Sequence, residues 1–341
     1  MPTNAYISKR TMMATIMETT YNDGTVATTA PGALTANGKA VLVEDLEITP
    51  DTESLPRVYL SDQLGSFRPE LGKIMATLSG SVEMKGKGAA YADTVAGRPE
   101  IDHLLRCCAL SSTFSGGAGT ETITYAPASA TRESIAIDVH MDGKRLRLTG
   151  CVGTGRFVLE AHKIPKFEFE IRGLLTAFVD ATFGTFGSSY SSIVPPVVRS
   201  IGWTVGARAL YASKVEVDLG NEIMDADSVN SADGVRAAVV VLRNVVGSMD
   251  PEFEADTYTL TDTAAATHTL QGGGLDRPHP AFALTATVSV AQYNRFTLAA
   301  ARLVFTGMKP TDSNGIRRFQ IPFVLAADPA TANGDLTLTF N

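Results

Sequence analysis

His103 and Cys107 stand four residues apart in the stretch EIDHLLRCCA, a spacing that on a helix turns an imidazole and a thiolate to one face, where they could share a zinc ion. A zinc site needs further donors, and no Cys-x-x-Cys pair follows. His140, His162, His268 and His279 are scattered, and neither a Gly-x-Ser-x-Gly elbow nor a His-Glu-x-x-His run is present. The glycine-rich stretches 86–88 and 116–119 lack the Gly-Lys-Ser/Thr of a phosphate loop, and 272–274 reads as a plain turn. Glu168 and Glu170 share one strand face, but acid–base work by paired carboxylates needs a partner in a cleft, so the pair reads as a solvated charged face. No catalytic residue, metal or cofactor is expected.

Composition sets the frame for these residues. A chain of 341 residues with 44% hydrophobic and 19% charged side chains is long enough for two domains with real cores. Its net charge of -7 argues against a duplex-binding surface, which would cluster Lys and Arg against phosphates. Three cysteines, with Cys107 and Cys108 adjacent, make no disulfide framework and point to a reducing cytoplasm. The first twenty residues lack a basic segment followed by an apolar core, and no run approaches eighteen apolar residues. Neither a signal peptide nor a membrane-spanning segment is expected.

The clearest structural signal lies at 144–174. Residues 166–172 alternate without exception, with Phe167, Phe169 and Ile171 on one face and Lys166, Glu168, Glu170 and Arg172 on the other, the period of a half-buried strand. Gly150, Gly153 and Gly155 predict a bulge or bend just before it. Residues 41–48, 74–85 and 134–141 read as further strands, and Asp142-Gly143 as a hairpin turn. Residues 100–109 read as a short amphipathic helix covering a sheet, with Ile101, Leu104, Leu105 and Cys108 inward. Residues 1–40, rich in Thr, Ala, Gly and Asn, read as an extended arm lying on a neighbour. The segment 49–73 is longer than a hairpin needs and reads as a docking loop.

Residues 182–200, rich in Gly, Ser and Pro, read as a linker, after which the order recurs. Strands are expected at 211–219, 235–246, 282–290 and 317–325, with a helix at 251–260. The architecture expected is an arm (1–40), a first domain (41–181), the linker (182–200) and a second domain (201–341), produced by internal duplication.

Several stretches carry a family likeness. They are LEITPDTESLPR at 46–57, LSGSVEMKGKG at 78–88, AGRPEIDHLLRCCALSSTF at 96–114, YAPAS at 125–129 and DGKRLRLTGCVGTGRF with KIPKFEFEIRG; the second half adds ASKVEVDLGNEI at 212–223 and RNVVGSMDPE at 243–252. In their order over nearly the whole chain they resemble the two-domain major tail tube proteins of long-tailed bacteriophages. The resemblance implies a mainly β fold of two tandem β-sandwich or barrel-like tail tube domains, each flanked by a short α-helix, with an extended N-terminal arm and a long inter-strand loop. It implies a non-enzymatic virion protein, made in the host cytoplasm, that assembles into stacked rings around a lumen. Tape measure, tail terminator and tip proteins are the other expected partners, and double-stranded DNA passes through without specific binding.

A lumen wall should be polar without gripping phosphates, and Thr77, Ser79, Ser81 and Glu83 are the candidate lumen-facing residues. Asp51, Glu53, Arg57, Tyr59, Phe67 and Arg68 are the candidate inter-ring docking residues. If both halves are tube domains, a ring of six units holds three chains. The alternative is another phage β-module, such as a capsid decoration or receptor-binding fibre protein, which would present its long loops to a host or partner.

Overall fold

Phe167, Phe169 and Ile171 are buried and Glu170 is exposed, so the alternation at 166–172 orients a strand as expected. The computed structural model describes residues 10–29, 33–59, 67–130, 132–182, 184, 186, 189–199, 202–206, 208–231, 234–252, 259–261, 267–269, 281–289, 291–313, 315–327 and 333–341. The first half contains β1 (Thr11–Met17), β2 (Thr28–Thr29), β3 (Ala33–Leu34), β4 (Lys39–Val41), β5 (Glu44–Leu55), β6 (Glu70–Glu83), α1 (Asp102–Cys107), β7 (Leu110–Ser115), β8 (Thr122–Pro127), β9 (Ile135–Met141), β10 (Lys144–Glu160) and β11 (Lys166–Asp180). The second contains β12 (Thr204–Val205), β13 (Arg208–Ala209), β14 (Ala212–Asp218), β15 (Asn221–Asp227), β16 (Val235–Arg243), β17 (Val246–Pro251), β18 (Thr259–Thr261), β19 (Thr267–Thr269), β20 (Phe282–Val288), β21 (Phe296–Phe305), β22 (Lys309–Ser313), β23 (Ile316–Leu325) and β24 (Thr337–Phe340). The protein is mainly β.

One antiparallel sheet passes through both halves. It begins in the order β4, β1, β9, β10, β11, β6, β5. β10 is seventeen residues long, and its last residues leave β9 and pair with β14, from Arg156 opposite Asp218 to Glu160 opposite Lys214. From β14 the sheet continues through β17 and β23 to β21, which also holds β20 and β24. β24 returns to the first half and pairs with β8, which pairs with β7. The expected bend in β10 is present as a register shift between Thr149 and Val152. The Asp142-Gly143 turn has both residues at positive φ, as a two-residue hairpin between β9 and β10 requires.

Aromatic pairs fill the core on both sides of the junction. Phe157 and Phe167 pack with centroids 5.0 Å apart, and Tyr125 of the first half meets Phe340 of the second edge to face at 5.9 Å. Each such buried ring contributes roughly 1.5–3 kcal/mol relative to exposure.

Four expectations need correction. Instead of an arm lying on a neighbour, residues 11–17 form β1 between β4 and β9, with Met13, Ala14, Thr15 and Ile16 buried. MMATIM is a short, nearly continuous apolar run, which a strand buried on both faces uses and which shows no alternation. Residues 1–9 and 30–32 of that expectation lie outside the described residues. Segment 49–73 is shorter as a loop than expected: β5 runs on to Leu55 and β6 begins at Glu70, so its two ends, 49–55 and 70–73, belong to paired strands, with 60–66 outside the described residues. β5 from Thr49 onward is exposed on both faces, so no apolar period marked it.

The third correction concerns α1. Ile101, Leu104, Leu105 and Cys108 are buried as expected, but so are Asp102, His103 and Cys107, because β1 and Lys39 close over the outer side. The Lys39 ammonium donates to the Arg98 and Pro99 carbonyls, and Thr15 Oγ1 lies 3.0 Å from His103 Nδ1. The fourth is the helix at 251–260. Pro251 ends β17, Glu252 bridges to Arg318 and Leu260 lies in β18, so both described ends are extended; residues 253–258 lie outside the described residues. The strand expected at 235–246 is broken into β16 and β17 around Asn244 and Val245.

The linker has no regular element among its described residues, yet it is laid along the first half. Val198 exchanges backbone hydrogen bonds with His162 and Lys163, and Phe186 packs edge to face on His140.

Cys107 donates its thiol to the Leu104 carbonyl at 3.1 Å, and burial pushes its pKa well up. Replacing Cys107 and Cys108 together by Ala should cost about 1–3 kcal/mol of packing and leave assembly intact. Chemical denaturation alongside electron microscopy checks this, and assembly that fails without added metal would show the pair to be ligands.

Candidate lumen-facing sheet

Directly opposed residues of an antiparallel sheet point to the same side, so register decides which side chains share a face. Thr77, Ser79, Ser81 and Glu83 of β6 stand opposite Arg172, Glu170, Glu168 and Lys166 of β11. Beyond β11, Glu170 and Glu168 stand opposite Thr154 and Arg156 of β10, and Arg156 stands opposite Asp218 of β14. On the other flank Glu47 and Glu44 of β5 stand opposite Ser79 and Ser81. The four candidates therefore lie on one polar face that spans five strands in the order β5, β6, β11, β10, β14. A shallow groove of about 370 Å³ runs along it, lined by Ser79, Ser81, Thr154, Arg156, Glu168, Glu170, Asp45 and Asp218.

The charge on this face is arranged in pairs. Glu44, Glu47, Glu83, Glu168, Glu170, Glu216 and Asp218 outnumber Arg156, Lys166, Arg172 and Lys214. Each of those four cations holds a carboxylate: Arg156 with Glu168, Lys166 with Glu44, Lys214 with Glu216, and Arg172 with both Asp51 and Asp225. Hydrogen bonds to these carboxylates raise the pKa values of Arg156 and Lys166, so their charge is fixed and already answered. Among the described residues this face offers phosphates no vacant cation.

Lys85 departs from the expected alternation. β6 ends at Glu83, and beyond it Lys85 turns inward, 2% exposed, with its ammonium 3.2 Å from Glu100.

The docking candidates divide into two groups. Asp51 and Glu53 are residues of β5, and Asp51 pairs with Arg172 at 2.7 Å. Arg57, Tyr59, Phe67 and Arg68 stand exposed at the described ends of the hairpin tip, where Arg57 lies over the Tyr59 ring and Tyr59 meets Phe67 edge to face at 5.5 Å.

Asp225 is a member of the site that the sequence reading missed. It comes from β15, which folds over the far end of the polar face, and it holds Arg172 at 2.8 Å and Lys73 at 3.0 Å. The Arg172 hydrogen bond, with Lys73 beside it, lowers the Asp225 pKa to about 2. A depressed folded-state pKa gives stability that is present above the ordinary value of 3.8 and disappears as pH falls through about 2. The Tm gap between the wild type and Asp225→Asn should therefore be constant at neutral pH and close across that window. A gap that stays unchanged down to pH 2 would mean the ion pair contributes nothing.

His103 and Cys107 each contact another group, the Thr15 hydroxyl and the Leu104 carbonyl respectively. His103 is buried against Thr15, and burial, reinforced by the Lys39 charge, holds its pKa at about 3, so the imidazole is neutral. Among the described residues no group of three or more His, Cys, Asp or Glu side chains could hold a metal ion. No helix among them is long and apolar enough to cross a membrane.

The described residues thus form a polar, charge-paired face on a β-rich chain. The family model for phage tail tube proteins matches residues 8–341, and the chain belongs to that family. It is a structural protein of the phage tail. No curated protein matches the chain.

Proposed function

We propose that the protein assembles into stacked rings that form the tail tube and that DNA leaves the capsid through their lumen. Each ring contains three chains, and each chain supplies two units, 41–181 and 201–341, with 182–200 running around the circumference between them. The β5–β6–β11–β10–β14 face lines the lumen, with Thr77, Ser79, Ser81 and Glu83 near its middle. The hairpin tip carrying Arg57, Tyr59, Phe67 and Arg68 reaches a neighbouring ring. The tape measure protein occupies the lumen before DNA does, terminator and tip proteins cap the tube, and assembly takes place in the host cytoplasm.

The observation that carries this reading is the five-strand polar face, whose carboxylates exceed its cations and whose cations are all paired. Acidic and hydroxyl side chains repel or ignore a passing duplex, whereas exposed cations would hold it. The crossing of the sheet from β10 to β14 supports two units sharing one wall. Negative-stain microscopy of the purified protein, followed by reconstruction, should reveal tubes of stacked rings with three chains each. Six chains per ring would contradict the duplicated-unit reading, and isolated globules would contradict the tube.

A further inference from the structure

The two halves repeat one construction, and the repeat can be registered residue by residue. Gly80 of β6 adjoins Phe169 of β11, and Gly247 of β17 adjoins Phe323 of β23. A Cβ at either glycine would meet that ring, at 3.1 Å from Phe169 and 2.4 Å from Phe323. Counting outward from this match, Glu47 opposite Ser79 corresponds to Asp218 opposite Val246. Asp51 opposite Met75 corresponds to Glu222 opposite Leu242, and Ser54 opposite Leu71 to Asp225 opposite Ala238. The β5–β6 hairpin is thus the first-half form of β14 to β17. β10 likewise corresponds to β21, because Gly155 and Phe305 stand opposite the matched Phe169 and Phe323.

Within the chain the second-half hairpin is seated. β14 pairs with the last residues of β10, and β15–β16 folds over the first half, where Ala238 and Val240 cover Met75 and leave it 0% exposed. Among the described residues the first-half hairpin has no such seat in its own chain. Among the described residues β5 pairs only with β6. Leu71, the match of Ala238, is 68% exposed, and Leu242, the match of Met75, is 57% exposed. Residues 306–310 match the part of β10 that β14 pairs with, and among the described residues they pair only toward β23.

We infer that the β5–β6 hairpin of one copy docks on the second half of the next copy. Backbone at residues 44–47 pairs with 306–308 of the neighbour, and Leu71 covers the neighbour's Leu242. This inference rests on the ring assembly proposed above and names the surface that closes it. Repeated around a ring, the contact occupies both open edges and both exposed leucines, as closed symmetry requires.

The internal template sets the register of the test. Glu216 stands opposite Val158, and their matches are Glu44 and Met308. Directly opposed strand residues are close enough for a disulfide. Oxidised tubes of the Glu44→Cys, Met308→Cys double variant should shift from monomers to covalently linked chains on a non-reducing gel, while either single variant stays monomeric. Tubes that form but stay unlinked, or that link only within a chain, would overturn the inference and leave the tube intact; a wild type that forms no tubes would overturn the ring reading instead. Hydrogen exchange on the wild type provides a second measurement that no substitution can spoil. Amides in 44–47 and 306–308 should both become protected on going from free protein to tube, and continued free exchange in either segment would also overturn the inference.

Discussion

Replacing Asp102 by Ala should destabilise the fold by about 3–5 kcal/mol, the range for removing one member of a buried charge network. Asp102 is fully buried, accepts a hydrogen bond from the Tyr125 hydroxyl at 2.7 Å, and lies 3.4 Å from the Arg98 guanidinium and 3.6 Å from that of Arg106. Burial works to raise its pKa, but the Lys39 charge, the Tyr125 hydroxyl and Arg106 outweigh it, and the net shift is downward. The carboxylate is therefore ionised at neutral pH. Its loss strands Lys39, whose pKa burial already pulls down to about 8 against the opposing pull of Asp102. Urea denaturation of Asp102→Ala beside Asp102→Asn checks this, since Asn keeps an acceptor for Tyr125 and should lose less. A loss below about 1 kcal/mol for the Ala variant would show the network to be dispensable.

The second large effect tests the proposed passage of DNA. Changing Glu168 and Glu170 to Lys deprives Arg156 of its carboxylate and adds two cations to each copy of the polar face. The variant tube should retain linear duplex DNA that the wild type does not, and ejection from virions carrying it should slow. Retention should also be salt-dependent, each new phosphate contact adding about -0.9 to the slope of log K against log salt. Raising salt from about 50 to 200 mM should then restore much of the release. Equal retention by wild type and variant at low salt would remove this face from the lumen. Replacing the same residues by Gln separates the loss of negative charge from the gain of positive charge.

What the sequence made legible follows from which strands have one wet face. Residues 74–83, 166–172, 282–288 and 316–325 each bury one side against the core, so alternation marked them and put Thr77, Ser79, Ser81 and Glu83 on one face. β1 is covered on both sides, which erases the period. The outer part of β5 is wet on both sides, which erases it as well. α1 looked amphipathic because Asp102 and His103 are polar, but each finds its partner indoors, in Tyr125 and Thr15. The polar face as a whole depends on register across five strands, and register is a long-range property that no single stretch encodes. Asp225 shows the same limit: its role comes from Arg172 and Lys73, fifty or more positions away.

The return of β24 to β8 has a consequence for synthesis. Thr339 and Thr124, in contact through their hydroxyls, are separated by 215 positions. A nascent chain that has emerged only as far as β11 leaves one edge of β8 open, and Phe340 is not yet present to pack on Tyr125. The first half cannot finish its sheet on the ribosome, and loop closure over so long a span makes this step slow. A chain aborted before β24 would carry an open edge where the complete one has a paired strand, leaving it to quality control.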